Sequence, residues 1–561
     1  MKLFALLFLF TVLFATAAFC RSSKVSPLFE QYIVRGGQAD IEAMIKVKTP
    51  GILTTGGKNS LINKRNIAGS TQDQLIVTIK EMYSEMTGGQ ELEYKTFWIA
   101  NAVYAKITEP MIEKIAELPE VESILPNLEF HLINPIPSQS GPENFRAADA
   151  YNLERMGVQR IWQELGIDGS GVKVGVVDSG LNTNLGFTDG KFVAGKSFVG
   201  DTVTDDVTDK NGHGTHVSGT VIGGHVSGKL YAMSLFWPSV VGDFDGCIGV
   251  APGAKLYFAK VMGDDGSGSF DDIMEGMQWM VDPDGNPATK DGVQVINASL
   301  GADESVPELR PYIKEIVDTG TILVVAAGNS GKKVGSPADF PECISIGATD
   351  SSDKKASFSS IGPSEFDGVT YIKPDVCAPG VKVVSYYKDK LMQMDGTSMA
   401  SPNACGVVAL IMQANPGLDR EQVREILKST ALDLGTAGPD NSYGWGRIDA
   451  YKAVKAAAGS QNPLYAQIRT FAQLEKDAIL ALNSAASDTE FITHADARNA
   501  YLVKISEYLT AHGLTIDDLI QFIDDLADDD GPDDLEPLLS ALKELKELLQ
   551  QMACAQNLCN G

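Results

Sequence analysis

The chain has few positive charges, and beyond its first 20 residues it has no long apolar run. Its 561 residues include 46 Lys and Arg against 73 Asp and Glu, which gives a net charge of -27. Nucleic acids and anionic membranes would repel such a protein, so we discount nucleic-acid functions. No segment after residue 20 is apolar enough to cross a bilayer, and we expect no membrane span in the mature chain.

Cysteine is also scarce. One of the seven cysteines, Cys20, ends an N-terminal segment in which Lys2 precedes an apolar run that closes with small residues. This pattern predicts a secretory signal peptide over residues 1–18 and hence a secreted protein, with a retained membrane anchor as the alternative. In an oxidising compartment the other six cysteines allow up to three disulfides. They are Cys247, Cys343, Cys377, Cys405, Cys554 and Cys559.

The part of the chain before residue 147 divides by composition. Residues 19–72 contain several glycine-rich turn signals and are predicted to be a leader, to which we assign no role. Residues 73–134 predict a small α+β module, in which LIVTIK is a strand, EPMIEKIAELP a helix and VESILPNLEF a strand. Residues 135–146, rich in Pro, Ser and Gly, predict an exposed linker.

Residues 147–458 alternate between two kinds of segment. Short apolar runs such as VKVGVVD, VQVINASL and ILVVAAGN are typical of buried strands, and FDDIMEGMQWM has helical spacing. This alternation predicts an α/β domain with a parallel sheet covered by helices on both faces. Residues 464–561 show helical spacing without a convincing strand, which predicts an acidic helical C-terminal region.

Four segments of the α/β domain supply the groups that peptide hydrolysis requires: a nucleophile, a base, a group that orients the base and a donor to the oxyanion. Asp178 ends the strand in VGVVDSG, and His213 lies between glycines in NGHGTHVSGT. Ser398 precedes an apolar helix in DGTSMASP, and Asn329 ends a strand in AAGNSG. Taken singly, each has a structural alternative, such as a turn-forming Asp or a helix-capping Ser.

Taken together, in the order Asp178, His213, Asn329 and Ser398, these motifs resemble the subtilisin family of serine proteases. The resemblance implies a three-layer subtilisin-like peptidase domain over residues 147–458. It implies that Asp178 orients His213, that His213 is the general base and then the acid, and that Ser398 forms the acyl-enzyme. The Asn329 amide and the backbone N–H of Ser398 would form the oxyanion hole, and no cofactor is required for the chemistry.

The resemblance also implies a cleft in which a protein or peptide substrate adds as a β-strand. The implied cleft residues are Gly266, Ser267, Gly268, Ser299, Leu300, Gly301 and Gly335. Gly335 matches the base of the S1 pocket, and its missing side chain predicts a broad or large apolar preference at P1. Asp264 and Asp265, near the cleft, favour a basic residue at some other subsite.

Residues 73–134 resemble the inhibitory propeptide of this family, whose end would occupy the cleft like a product. The protein is then a zymogen with its own propeptide as an intramolecular inhibitor, autoprocessed near Ile133 or Asn134. The main rival hypothesis is a secreted binding protein built on an inactive protease scaffold. The presence of all four catalytic residues argues against it.

A structural calcium ion and the C-terminal region are the two points that the resemblance leaves open. Residues 221–249 form an insertion where the family usually has a calcium loop. Asp201, Asp205, Asp206 and Asp209 offer other oxygen ligands, and a solvated acidic loop is the alternative. For residues 464–561, an interaction module, a second pro-segment and a solubility tail are all compatible with the sequence.

Overall fold

The computed structural model describes residues 22–33, 40–49, 58–133, 135–136, 150–232, 239–289 and 291–459. The predicted signal peptide, most of the predicted linker and the predicted helical C-terminal region lie outside the described residues. The account below concerns the unit formed by residues up to Val454.

The N-terminal module is a four-stranded antiparallel sheet, in the order β2-β3-β1-β4, with two helices on one face. One face of the sheet packs against α2 and α3, and the other packs against the α/β domain. Strand β5 leaves this sheet. The elements are α1 (Phe29–Ile33), β1 (Ile41–Val47), α2 (Lys58–Thr87), β2 (Tyr94–Phe97), β3 (Ala102–Ile107), α3 (Glu109–Glu117), β4 (Val121–Pro126) and β5 (Glu129–Leu132).

Two predictions for this module are wrong. LIVTIK lies within α2 rather than in a strand, because Leu75, Ile79 and Tyr83 repeat at helical spacing and are buried, whereas Val77 is 57% exposed. The boundary predicted at residue 73 cuts through α2. Part of the predicted leader, β1, pairs with both β3 and β4 in the middle of the sheet. The module therefore begins well before residue 73.

The α/β domain is built on a seven-stranded sheet in the order β18-β15-β14-β12-β6-β10-β7, and every pairing within it is parallel. Its other strands form small sheets at the periphery. The strands are β6 (Lys173–Asp178), β7 (Phe192–Ser197), β8 (His225–Ala232), β9 (Ser239–Cys247), β10 (Lys255–Lys260), β11 (Ser267–Ser269), β12 (Val295–Ala298), β13 (Leu300–Gly301), β14 (Ile322–Ala326), β15 (Ile344–Thr349), β16 (Ser364–Phe366), β17 (Val369–Tyr371), β18 (Val376–Pro379), β19 (Val383–Tyr387) and β20 (Lys390–Met394).

Helices cover both faces of this sheet. Every side chain of β12 and β14 is buried, and since side chains alternate between the two faces of a strand, both faces must be covered. The fold is a three-layer α/β fold, as predicted. Its helices are α4 (Tyr151–Arg155), α5 (Val158–Arg160), α6 (His213–Ile222), α7 (Phe270–Val281), α8 (Arg310–Val317), α9 (Thr397–Ala414), α10 (Arg420–Ser429) and α11 (Ala450–Gly459). Single helical turns lie at Ile161–Leu165, Gly186–Thr188 and Pro307–Leu309.

The predicted insertion contains an antiparallel hairpin of β8 and β9, which joins β19 and β20 in a four-stranded sheet. No helix in the described parts of the chain is long and apolar enough to cross a membrane. None of the cysteines within these parts forms a disulfide with another, and Cys343, Cys377 and Cys405 are buried thiols. Cys554 and Cys559 lie outside the described residues.

The orientation of α2 generates a stability prediction. Ile79 is fully buried in the core of the N-terminal module, so Ile79→Ala should lower its free energy of unfolding by about 2–5 kcal/mol. The exposed Val77 is the matched control, and Val77→Ala should change it by less than about 0.5 kcal/mol. Hydrogen exchange of the β1 and β3 amides in the intact chain measures both. Equal losses of protection would contradict the helix, because residues 77 and 79 share a face only in a strand.

Candidate active site

The candidate site lies at the carboxyl end of the parallel sheet, where the last residues of several strands converge. Asp178 is the last residue of β6, a central strand of the sheet, and its side chain is fully buried. Its Oδ1 atom accepts a hydrogen bond from the Nδ1 atom of His213 at 2.7 Å and another from the backbone N–H of Ser179 at 2.7 Å. The sheet thus holds a carboxylate where it can fix the His213 ring.

His213 is the first residue of α6, and the glycines on either side of it have a steric function. Gly212 has φ of 105°, a left-handed conformation that favours glycine. A side chain at Gly214 would overlap the carbonyl oxygen of Gly180, in the turn that follows β6. These two glycines allow α6 to begin directly against the end of β6, which brings the His213 ring to Asp178.

Asp209 fixes the start of α6, a role that the sequence did not reveal. Its buried carboxylate accepts hydrogen bonds from the backbone N–H of Gly212 at 2.7 Å and of Thr215 at 2.9 Å. It also accepts from the hydroxyls of Thr215 and Ser179, at 2.7 Å and 3.1 Å. Asp209 was predicted as an alternative metal ligand, but it is not part of a group of carboxylates that could hold a metal ion in the described residues. The sequence signal was an acidic residue four positions before a glycine-flanked histidine.

Ser398 is the second residue of α9 and is buried at the same end of the sheet. Its hydroxyl donates a hydrogen bond to the backbone carbonyl of Ile133, the residue that follows β5. The Nε2 atom of His213 is buried and has no hydrogen-bond partner among the described residues. The nucleophile candidate therefore contacts a peptide carbonyl, and the base candidate has an uncommitted nitrogen.

Thr397 orients the amide of Asn329, and sequence reasoning missed this residue too. The Oδ1 atom of Asn329 accepts from the backbone N–H and from the hydroxyl of Thr397, both at 2.9 Å. A Cβ atom placed on Gly396 would lie 3.1 Å from Asn329 Nδ2 and 3.6 Å from the backbone nitrogen of Ser398. Both nitrogens therefore lie beside Gly396, an arrangement that suits two donors to one oxyanion.

Strand β5 occupies the predicted cleft between β11 and β13, antiparallel to both. The backbone N–H of Leu132 donates to the carbonyl of Gly266 at 2.9 Å, and that of Ile133 donates to the carbonyl of Ser299 at 3.3 Å. Within the sheet, the predicted residues Ser267 and Gly268 pair with His131 and Phe130. Leu300 and Gly301 pair with Leu132 and His131.

The two glycines of the predicted pocket lie in different surroundings. A Cβ atom on Gly301 would lie 3.7 Å from the Cδ1 atom of Ile133, so Gly301 lies next to the side chain of Ile133. A Cβ atom on Gly335 would overlap the carbonyl oxygen of Ala302. Glycine at position 335 thus allows two backbone segments to approach each other beside the cleft.

His216 is not part of the hydrogen-bonded set around Asp178. Burial lowers its pKa to about 3, and its Nε2 atom bonds to the carbonyl of Met392 at 3.2 Å. A metal ion shared by His213 and His216 would require both rings to turn toward one point. His213 instead directs its Nδ1 atom to Asp178.

The predicted calcium ligands do not form a metal-binding group in the described residues. Three other carboxylates do come close together, those of Asp282, Asp284 and Asp291, which were not among the predicted ligands. They lie in the loop between α7 and β12, away from the residues around Ser398 in sequence.

Comparisons with known proteins agree with this geometry. A family model described as the subtilase family matches residues 169–446. Subtilisin DY of Bacillus licheniformis is 38% identical over 302 residues, which cover 53% of this chain and 94% of that protein. Subtilisin Savinase of Lederbergia lenta is 36% identical over 293 residues, or 52% of this chain and 93% of that protein.

A further relative aligns with a larger part of the chain than the family model does. Subtilisin NAT of Bacillus subtilis subsp. natto is 32% identical over 401 residues, which cover 69% of this chain and 91% of that protein. The parallel sheet, the meeting of the four motifs at its carboxyl end and these similarities lead to one conclusion. The chain belongs to the subtilase family and is a serine endopeptidase of the subtilisin type.

Proposed function

We propose that this protein is a secreted endopeptidase that is made as a zymogen and cleaves its own chain after Ile133. One observation carries the proposal: the Ser398 hydroxyl contacts the carbonyl of Ile133, at the end of a strand bound across the substrate cleft. A peptide held in that position has its carbonyl carbon next to the nucleophile, as the first step of acyl transfer requires. The signal-like N-terminal segment supports secretion.

The proposed mechanism assigns one step to each group. His213 takes the proton of the Ser398 hydroxyl as its oxygen attacks the carbonyl carbon, and Asp178 stabilises the imidazolium that forms. The oxyanion accepts hydrogen bonds from the Asn329 amide and the Ser398 backbone N–H. His213 then gives its proton to the leaving amine, which breaks the peptide bond. Water, deprotonated by His213, hydrolyses the acyl-enzyme and restores the Ser398 hydroxyl.

The N-terminal module has the contacts expected of an inhibitory propeptide, although its sheet begins earlier than residue 73. Its Lys95 ammonium lies 2.7 Å from Asp271, 3.0 Å from Asp272 and 3.3 Å from Glu275, at the start of α7. Phe130 of β5 stacks on Phe270, with ring centroids 5.9 Å apart. The module and the peptidase domain also share an apolar cluster. Docking therefore combines apolar burial, an ion-pair cluster and occupation of the cleft.

The proposed P1 preference is broad or large and apolar. The P1 residue of the bound strand is Ile133, an apolar residue whose side chain lies beside Gly301. Glycine at position 301 places no side chain against Ile133, whereas Gly335 packs against the backbone of Ala302. Neither glycine offers a charge to pair with a basic P1 side chain.

Substitutions at the site test the mechanism. Ser398→Ala and His213→Ala should each lower kcat by about a million-fold, the loss measured for the same groups in subtilisin. Asn329→Ala should lower it by about 100- to 1000-fold, again as measured for a subtilisin oxyanion donor. Hydrolysis of a fluorogenic peptide and processing of the chain on a gel measure both. Ser352→Ala, on an exposed turn, is the control, and hydrolysis by Ser398→Ala at the parent rate would refute the mechanism.

Substitutions of Ile133 test the pocket separately from the catalytic groups. Ile133→Phe should leave autoprocessing close to the parent rate, because a large apolar side chain fits the proposed preference. Ile133→Asp should slow it by about 100-fold, since an unpaired carboxylate would lose its hydration next to apolar surface. Mass spectrometry of the products over time gives both the rate and the cleaved bond. Faster processing of the Asp variant than of the Phe variant would contradict the apolar preference.

The ion-pair cluster around Lys95 predicts a pH dependence. Burial, with a further contribution from Asp271, raises the pKa of Asp272 from 3.8 to about 7, although Lys95 lowers it. Between pH 3.8 and about pH 7, Asp272 binds a proton in the folded protein but not in the unfolded chain. The contribution of Asp272 to the free energy of unfolding therefore falls as pH rises. In a Ser398→Ala background, Asp272→Asn should therefore raise the melting temperature more, or lower it less, at pH 8 than at pH 5.

Asp389→Asn is the control for this experiment, because Asp389 is exposed in the turn between β19 and β20. Its effect on melting should be the same at both pH values. A less favourable effect of Asp272→Asn at pH 8 than at pH 5 would show that the charged form of Asp272 stabilises the docked module. That result would contradict the prediction.

A further inference from the structure

The loop between α7 and β12 brings three carboxylates together. Asp282, Asp284 and Asp291 each offer one oxygen atom, and these atoms lie within 4.8 Å of one another. Two of the carboxylates organise the loop itself. Asp284 Oδ1 accepts from the backbone N–H of Asn286 at 2.7 Å, and Asp291 Oδ2 accepts from the backbone N–H of Asp284 at 2.7 Å. These bonds stabilise the fold of the loop, but they do not involve the third carboxylate, that of Asp282.

Asp282 is the buried member of the cluster, and its loop leaves one of its carboxylate oxygens without a hydrogen bond. Its side chain is only 3% exposed, and its Oδ1 atom has no hydrogen-bond partner in the described parts of the chain. Burial raises the pKa of Asp282 to about 6 despite the opposing effect of Arg65, and the charges of Asp291 and Asp284 add to the rise. A buried carboxylate beside two others needs a proton or a cation to offset its charge.

A cation from elsewhere in the chain already lies on the cluster. The Nη1 atom of Arg65, in α2 of the N-terminal module, lies 2.9 Å from Asp282 Oδ2 and also donates to the backbone carbonyl of Gly285. The Arg65 guanidinium stacks over Trp98, 5.3 Å from the ring centroid. Two oxygens of the loop, the Asp282 carboxylate and the Gly285 carbonyl, therefore face the same positive charge. If the module leaves the peptidase domain, the loop loses that charge.

We propose that this loop is a calcium site of the peptidase domain and that the Arg65 guanidinium occupies it while the N-terminal module is docked. Ca²⁺ would take oxygens from Asp282, Asp284, Asp291 and the Gly285 carbonyl, with water completing the six to eight ligands it prefers. Because Arg65 and Ca²⁺ compete for the same oxygens, Ca²⁺ binding weakens module docking, and docking weakens Ca²⁺ binding to the same degree. The release step rests on the proposed function of the module, whereas the site itself does not.

Titration of the full chain carrying Ser398→Ala tests the proposal without proteolysis. Calorimetry with Ca²⁺ gives the affinity, and Tb³⁺ luminescence locates the ion, because the indole of Trp279 donates to the carbonyl of Pro283 in this loop at 3.2 Å. Arg65→Gln removes the competing charge and should raise the affinity of the site for Ca²⁺ by about tenfold or more. Arg65→Lys keeps the charge and should leave the affinity closer to that of the parent.

Asp284→Asn in the Arg65→Gln background should remove this binding and the sensitised Tb³⁺ emission. Asp284 is exposed, so the variant should fold, and melting in the absence of Ca²⁺ checks this. Any Ca²⁺ site elsewhere would titrate equally in all the variants. Identical titrations with and without Asp284→Asn would overturn the site, and an unchanged affinity in Arg65→Gln would overturn the competition. Neither result depends on peptidase activity, so a failure of the proposed function would be seen separately.

Discussion

The hydrogen bond between Asp178 and His213 is the contact on which the geometry of the site depends. It forms because β6, in the interior of the parallel sheet, ends at Asp178 and α6 begins at His213. Asp209 holds the first turn of α6 through two backbone and two hydroxyl hydrogen bonds. The ring of His213 is therefore fixed from two sides, which lowers the reorganisation needed in the proposed mechanism.

Charge distribution links this site to the N-terminal module. The chain is strongly acidic, with a net charge of -27, and two acidic groups of the peptidase domain meet basic residues of the module. Lys95 faces the carboxylates at the start of α7, and Arg65 faces those in the loop after it. Both ends of one helix thus receive a positive charge from the module. The module and the domain also share an apolar cluster, whose burial favours their association.

The parallel sheet and the meeting of the four motifs at its carboxyl end were predictable from the sequence, because strands buried on both faces appear as continuous apolar runs and the motifs lie at their ends. LIVTIK was misread because its β-branched residues favour a strand locally, while the core of the module selects a helix. The tasks of Thr397 and Asp209 depend on contacts between distant segments. The approach of Asp282 to Arg65, separated by more than 200 residues, is likewise visible only in the fold.

The strand bound between β11 and β13 has a consequence for what this enzyme can digest. Its residues pair with an enzyme strand on each side. A segment bound in this way must be fully extended, and its backbone cannot keep hydrogen bonds to other parts of its own protein. Helices and interior strands of folded proteins cannot meet this condition without local unfolding. For substrates that bind as β5 does, we therefore expect the folding stability of a target protein to set its lifetime as much as its amino-acid sequence does.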